Sequence, residues 1–318
     1  MKAHRLTRES LTRDGAIGAV LTQDVRDHHG RIALAKGSPL SADSIAHLLT
    51  LDWDELHAIR LDADDVHEAE AGVRLVRAAA GREVKVGAMT AGHWPLCAAT
   101  RGVVHVNVAA LREINALDGI ALYSLFDGQV VDENETVARG KIIPFAISDA
   151  ALQRVESLAR MHGGVVHIRR FVPWTVGVVI QESLGERATQ RAQAVLAEKL
   201  AWFGSALLTP RVVSPTADDI EVALRAHLDA GARLLIVAGS RAMDPLDPVF
   251  QALATLGARF ERRGVPAHPG SLLWIARLGA GEDEVPIIGL PSCGLFSQAS
   301  VFDLLLPRIL SGEHLTND

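Results

Sequence analysis

Leu234-Leu235-Ile236-Val237-Ala238-Gly239-Ser240 and, further along, Ile287-Ile288-Gly289-Leu290-Pro291-Ser292-Cys293-Gly294 are the two stretches whose reading decides the fold. Neither alternates polar with apolar residues, the pattern of a strand covered on both faces. Each then runs into a loop of small residues. In open α/β sheets ligands bind outside the carboxyl ends of such strands, where glycine lets the backbone come close.

Working outward, 176–180 reads as another buried strand and 189–203 as a helix with Ala192, Leu196, Leu200 and Phe203 on one face. The strand at 207–213 is interrupted by Pro210. Thr216 with Asp219 three residues on is a capping-box variant, opening a helix that carries Ile220, Ala223, Leu224 and Leu228. A helix over 248–256, a strand over 258–263, a hairpin-like piece at 272–276, a strand over 285–290 and a helix over 298–310 complete the series. This alternation predicts an α/β protein whose residues 173–318 form a three-layer αβα domain with a mainly parallel sheet.

The boundary falls near 170–174. Residues 1–172 read as a β-rich α+β accessory region, divisible into 1–82 and 83–172. Strands are expected at 17–21, 32–35, 56–61, 103–108, 120–125 and 141–145. Ser41 caps a short helix to 49, a second helix runs from Asp64 and Asp65 to 80, and the stretch 84–145 reads as β-rich with one helix near 109–117.

The composition, 48% hydrophobic and 22% charged, is that of a folded soluble chain, and only 4% is aromatic, so the cores must be aliphatic. A net charge of −6, with no basic cluster larger than Arg169-Arg170 or Arg262-Arg263, argues against a nucleic-acid partner. There is no apolar run of the roughly 18 residues a bilayer span needs, and Met1-Lys2-Ala3-His4-Arg5 lacks a signal-peptide core. Cys97 and Cys293 form no CxxC pair. A cytoplasmic protein with no membrane association is expected.

The candidate site centres on 238–247. Gly239 can adopt positive φ, Ser240 adds a hydroxyl, Arg241 a cation, and the helix that follows aims N–H groups into the crevice, worth roughly 0.3–1 kcal/mol to a phosphate. Asp244 and Asp247 are candidate metal-site or general-base carboxylates; the same spacing also suits a turn and a helix cap. His268-Pro269-Gly270-Ser271 forms a turn in which protonated His268 can meet an anion. Pro291-Ser292-Cys293-Gly294 turns a strand into a helix, where the Cys293 thiol would be acidified. The sequence has no HExxH, GxxxxGK[ST], GxSxG or GxGxxG pattern, against the commoner metalloprotease, nucleotide-hydrolase, serine-hydrolase and dinucleotide chemistries.

In this order the segments resemble the molybdopterin-binding domain shared by molybdopterin adenylyltransferases and molybdotransferases, the MoaB/Mog-like family. That family's Thr-Gly-Gly-type loop with a following acidic residue is matched by Ala238-Gly239-Ser240 with Asp247. Its Lys-Pro-Gly-Lys-Pro turn is matched by His268-Pro269-Gly270-Ser271-Leu272, and its Leu-Pro-Gly-Asn-Pro loop by Leu290-Pro291-Ser292-Cys293-Gly294. Ser240 replaces a glycine and both turn lysines are missing, leaving Arg241, Arg263 and His268 as the cations. Lys141-Ile142-Ile143-Pro144-Phe145 resembles the accessory region of divergent molybdopterin-binding proteins found beside molybdenum hydroxylase maturation factors.

The resemblance implies a binder of molybdopterin or molybdenum cofactor. Asp247 is the metal- or pterin-contacting carboxylate, Mg²⁺ an accompanying ion, and a pterin phosphate the ligand. It further implies a molybdoenzyme or maturation factor as partner, and a homo-oligomer. The alternatives are a nucleotidyl- or molybdotransferase and an interaction scaffold with a vestigial pocket. An Asp247→Ala variant that loses ligand at unchanged stability would mark a ligand residue; one that loses roughly 0.5–2 kcal/mol of stability would mark a cap.

Overall fold

All five residues of the Leu234–Ala238 strand are buried, as its unbroken apolar run predicts. The computed structural model describes residues 1–11, 16–181, 185–239, 244–291 and 299–315. The chain divides into two units, Met1–Ile168 and Arg169–Asp318. Elements of the second unit are labelled in chain order: β1 (Thr175–Ile180), α1 (Glu186–Trp202), β2 (Ala206–Leu207), β3 (Arg211–Val212), α2 (Ala217–Asp229), β4 (Leu234–Ala238), α3 (Pro248–Thr255), β5 (Arg259–Arg263), β6 (Trp274–Leu278), β7 (Val285–Leu290) and α4 (Val301–Leu310).

These strands build one sheet in the order β2-β1-β4-β7-β6-β5, with β3 also on β1. β1 pairs in parallel with β2, β3 and β4, and β4 with β7. The far end is antiparallel: β6 runs against β7 and β5 against β6. The 272–276 piece is thus a full strand of the sheet, its start moved to Trp274. The period-two geometry of a strand sorts its side chains onto two faces. Leu234, Ile236 and Ala238 share a core with Ala192, Leu196 and Leu200 of α1 and with Phe302, Leu306 and Leu310 of α4. Leu235 and Val237 pack on the other face against Ile220, Ala223 and Leu224 of α2 and Val249 and Leu253 of α3. Each fully buried aliphatic side chain contributes about 1.5–3 kcal/mol before the entropy of ordering it is subtracted. Lys199 of α1 pairs with Asp303 of α4 at 2.5 Å, fastening neighbouring helices on one face. Thr216 caps α2 by accepting from the Asp219 N–H at 3.2 Å, as its spacing predicts.

His227 is the polar exception inside this unit. It is 2% exposed, its Nε2–H donates to the Val178 carbonyl at 3.0 Å, and its ring fills the space over Gly177. A Cβ on Gly177 would lie 2.6 Å from its Cγ.

In the first unit, Lys2–Leu6, Leu56–Arg60 and Val20–Leu21 form an antiparallel sheet beside the capped helix Ala42–Thr50. A four-stranded antiparallel sheet (Ile120–Ser124, Thr136–Ile142, Trp94–Ala98, Val84–Val86) and a three-stranded one contribute to a second core with three helices. One of these, Asp149–Met161, lies beyond 84–145 and is a helix that the sequence reading did not place. Its signals were present: Ser148 as cap and Leu152, Val155, Leu158 and Ala159 on the buried face. Arg74 ties it to Glu68–Ala79 through Asp149 (2.6 Å) and Glu156 (2.7 Å). Glu68–Ala79 also starts later than expected: Asp65 belongs to a short strand, Asp65–His67, paired with Ala146–Ser148, and His67 is the cap. Pairing of those backbone groups outweighed the acidic-residue preference for a helix start.

The Thr90–His93 turn joins two strands of the four-stranded sheet through Ala91 (φ +51°) and Gly92 (φ +72°), a two-residue hairpin with both central residues left-handed. Alanine is strained there. We expect Ala91→Gly to raise stability by about 0.5–1 kcal/mol, read as a higher urea midpoint at unchanged m. Among the described residues no helix is long and apolar enough to cross a membrane.

Candidate functional site

Register brings the carboxyl ends of three parallel strands level: Ile180 pairs with Ala238, and Ala238 with Leu290. The ladder continues one residue further, the Gln181 N–H donating to Ala238 (3.1 Å) and the Gly239 N–H to Leu290 (3.2 Å). Gln181, Gly239 and Pro291 are therefore the residues at which the three strands open into their loops. Gly239 has φ +83°, a conformation side chains resist, so its place in the loop is conformational before it is functional.

Asp247 sits over this edge, 5% exposed, as the N-cap of α3. Its Oδ1 accepts from the Val249 N–H at 3.1 Å and from Gln181 Nε2 at 3.1 Å. The Gln181 amide also reaches the Gly239 carbonyl at 3.4 Å. Its other end, Oε1, is buried without a hydrogen-bond partner among the described residues. Leaving a buried acceptor unmade costs about 1–3 kcal/mol, so this oxygen marks a place where a donor fits. Gln181 was not among the residues the sequence singled out. Its signal was a polar residue ending a strand whose other residues are apolar.

The expectation that α3 aims free N–H groups at the crevice is corrected. Pro248 has no N–H, Val249 donates to the Asp247 side chain, and Phe250 donates to the Asp247 carbonyl at 2.9 Å. The helix end is occupied by its own cap. Asp244 behaves differently from Asp247: it is exposed, its Oδ1 accepts from the Leu246 N–H at 2.9 Å, and its carbonyl accepts from Asp247. It shapes the turn that delivers Asp247.

The His268–Ser271 turn precedes β6, and Trp274 pairs with Gly289, so the turn lies at the same edge. The His268–Pro269 peptide is cis. The Pro269 carbonyl accepts from the Val301 N–H at 3.0 Å, and buried Gly270 (φ +118°) rests on Val301. The turn is seated on the start of α4, with His268 and Ser271 exposed. Ser240, Arg241, Ser292, Cys293 and Gly294 lie outside the described residues.

A cation does stand at this edge. Arg263 pairs with Trp274 in the sheet register, and its guanidinium lies 4.6 Å from the ring of Phe250 and 4.4 Å from that of Phe260. It has no carboxylate partner among the described residues, and Phe250 is in the first turn of the helix that Asp247 caps. Stacking fixes the guanidinium plane without neutralising it. As for a metal, no group of three His, Cys, Asp or Glu side chains converges among the described residues. Two of the contacts to the Asp247 carboxylate are N–H donors, a surrounding that suits a hydrogen-bonded acceptor and does not assemble a Mg²⁺ site.

The opposite edge of the sheet also holds a cavity, of about 210 Å³, lined among others by Trp174, Arg233, Arg277 and Glu284. There buried Arg277 is held by Glu284 at 2.9 Å and by the Leu315 carbonyl at 3.2 Å. It reads as an ion-pair cluster, with the Arg277 Nε 3.6 Å from Glu261.

No family model matches the sequence, and no curated protein does. Solved structures similar to the chain include the molybdopterin biosynthesis Mog protein from Mycobacterium ulcerans (21% identity, 43% of this chain and 93% of that one, TM-score 0.31). The tungsten cofactor synthesizing protein MoaB from Pyrococcus furiosus is similar at 13% identity over 43% of this chain and 91% of that one, with a TM-score of 0.31. A molybdenum cofactor biosynthesis protein from the same organism spans 100% of this chain and 66% of its own, at 13% identity and a TM-score of 0.28.

Proposed function

We propose that the C-terminal unit is a three-layer αβα domain that binds molybdopterin or molybdenum cofactor at the carboxyl edge of β1, β4 and β7. Its role is as a carrier during cofactor assembly or delivery. The observation that carries this reading is the Gln181–Asp247–Gly239 constellation, which places at one strand edge a buried carboxylate and a buried carboxamide oxygen with no hydrogen-bond partner among the described residues. The aminopyrimidinone edge of a pterin presents N–H donors in a row, which such acceptors match. Arg263 supplies the cation that the missing turn lysines would have given to the phosphate. The order of the motifs along the chain agrees with this ligand. The partner would be a molybdoenzyme or its maturation factor, in the cytoplasm, with the carrier a homo-oligomer.

Residues present fit a pterin phosphate better than they fit transfer chemistry. Nucleotidyl or molybdate transfer needs a metal clamp and cations around the transferring group, and the donors about Asp247 are not arranged for one.

The test is anaerobic titration of the full chain with molybdopterin, followed by calorimetry or pterin fluorescence. Wild-type binding is expected at about micromolar affinity, with Gln181→Leu and Asp247→Asn each weakening it by about tenfold or more. Asp247→Ala does not separate the roles, because the cap and the Gln181 amide lose their acceptor together, at about 1–3 kcal/mol of stability. Asp247→Asn keeps an oxygen for Val249 and removes only the charge. Binding unaltered in both Gln181→Leu and Asp247→Asn would falsify the site. Product formation with ATP, CTP or molybdate would assign a transferase, and no binding at all a scaffold.

A further inference from the structure

The N-terminal unit holds a cavity of about 470 Å³, within the range of small-molecule sites. Lys36, Glu68, Met89, Ala91, Lys141 and Ile143 line it. The chain has only five lysines against many arginines, and two of them, from distant parts of the sequence, line this cavity. Lys85 pairs with Glu133 and Lys199 with Asp303. Lys36 and Lys141 have no side-chain hydrogen bond or ion pair among the described residues.

Lys141, the second-last residue of Thr136–Ile142, is half-buried. Glu68 does not neutralise the pair. It is the first residue of its helix, where a carboxylate is favoured, and it lies against Gly37. Three charged groups thus face one space, with a net charge of plus one. The wall also has apolar residues: Met89 is 54% and Ile143 62% exposed. Ala91, held at φ +51°, also lines the cavity.

We infer that this cavity is a binding site for a small phosphate monoester, its phosphate between Lys36 and Lys141, its apolar body on Met89 and Ile143, and a hydroxyl or amino donor on Glu68. Lysine is a compact point charge suited to a terminal phosphate dianion. The site is independent of the pterin reading of the other unit.

The experiment is calorimetric titration of the full chain with phenyl phosphate, inorganic phosphate and phenol in parallel. Saturable phenyl phosphate binding is expected below about 10 mM, tighter than inorganic phosphate, with phenol not binding. Lys36→Gln and Lys141→Gln should each weaken it by about tenfold, and added salt should weaken it further. Thermal unfolding of both variants should match wild type, since neither lysine side chain holds a polar partner among the described residues. Asp247→Asn should leave phenyl phosphate binding unchanged, which separates this site from the pterin crevice. No saturation, equal affinity for inorganic and phenyl phosphate, or full binding by the double lysine variant would each overturn the inference.

Discussion

Gly289→Ala is expected to cost the C-terminal unit about 3 kcal/mol or more, the upper end for overpacking a core. Gly289 lies in β7, between β4 and β6, directly opposite Trp274. The indole, with 0% exposure, lies flat over the glycine: an added Cβ would be 1.8 Å from its Cε2 and 2.0 Å from its Nε1. Neither partner can yield cheaply. β7 is fixed by neighbours on both sides, and Trp274 is braced by Phe250 and Phe260 at 5.9 and 5.8 Å between ring centres. Phe250 belongs to the helix that Asp247 caps, so a displaced indole pushes on the candidate site as well. Trp274→Ala alone should cost about 3–5 kcal/mol by leaving a cavity. The double variant should cost well below the sum, because the new methyl group then occupies space the indole has vacated. Urea unfolding together with hydrogen exchange of the β7 amides reads this unit separately from the other. A Gly289→Ala cost under about 1 kcal/mol would show that the indole can move aside.

Acidification should destabilise the same unit through His227. Burial, with a contribution from nearby Arg211, holds the imidazole below its ordinary value, and the hydrogen bond to the Val178 carbonyl offsets this only in part. Between that lowered value and about pH 6.5 the unfolded chain takes up a proton that the folded chain refuses. Stability is therefore complete above about pH 6.5 and falls as the pH drops toward the folded value, by at most about 1.4 kcal/mol per pH unit. His227→Gln keeps an N–H for Val178 but cannot titrate. Its stability relative to wild type should improve steadily from about pH 7 to about pH 5. Parallel profiles for the two proteins would mean that His227 does not carry the acid response.

Much of the C-terminal unit was legible because its strands are covered on both faces. Leu234–Ala238 and Val285–Leu290 are unbroken apolar runs, and the structure keeps both bounds as read. Helix α2 announced itself through the Thr216 cap and its apolar spacing. The N-terminal unit was harder, since its antiparallel strands bury one face and short ones such as Asp65–His67 are defined by partners far away in sequence. The helix Asp149–Met161 had a readable cap and stripe and was still missed, because it follows a stretch read as mainly β.

Sequence alone determined that an aspartate would stand at the start of a helix after the Gly239 loop, since cap, turn and period are local properties of consecutive residues. Spacing alone did not rank Asp244 against Asp247, although the resemblance singled out Asp247; the burial of one and not the other was not readable. Only the tertiary structure decided that, by turning one to solvent and burying the other against Gln181, a residue 66 positions earlier in the chain. The same holds for Arg263 over Phe250, Trp274 over Gly289, and Lys36 beside Lys141. A hydrogen bond, a stacked ring or a shared cavity depends on which distant residues the register and crossovers bring within a few ångströms, and no local pattern encodes that distance.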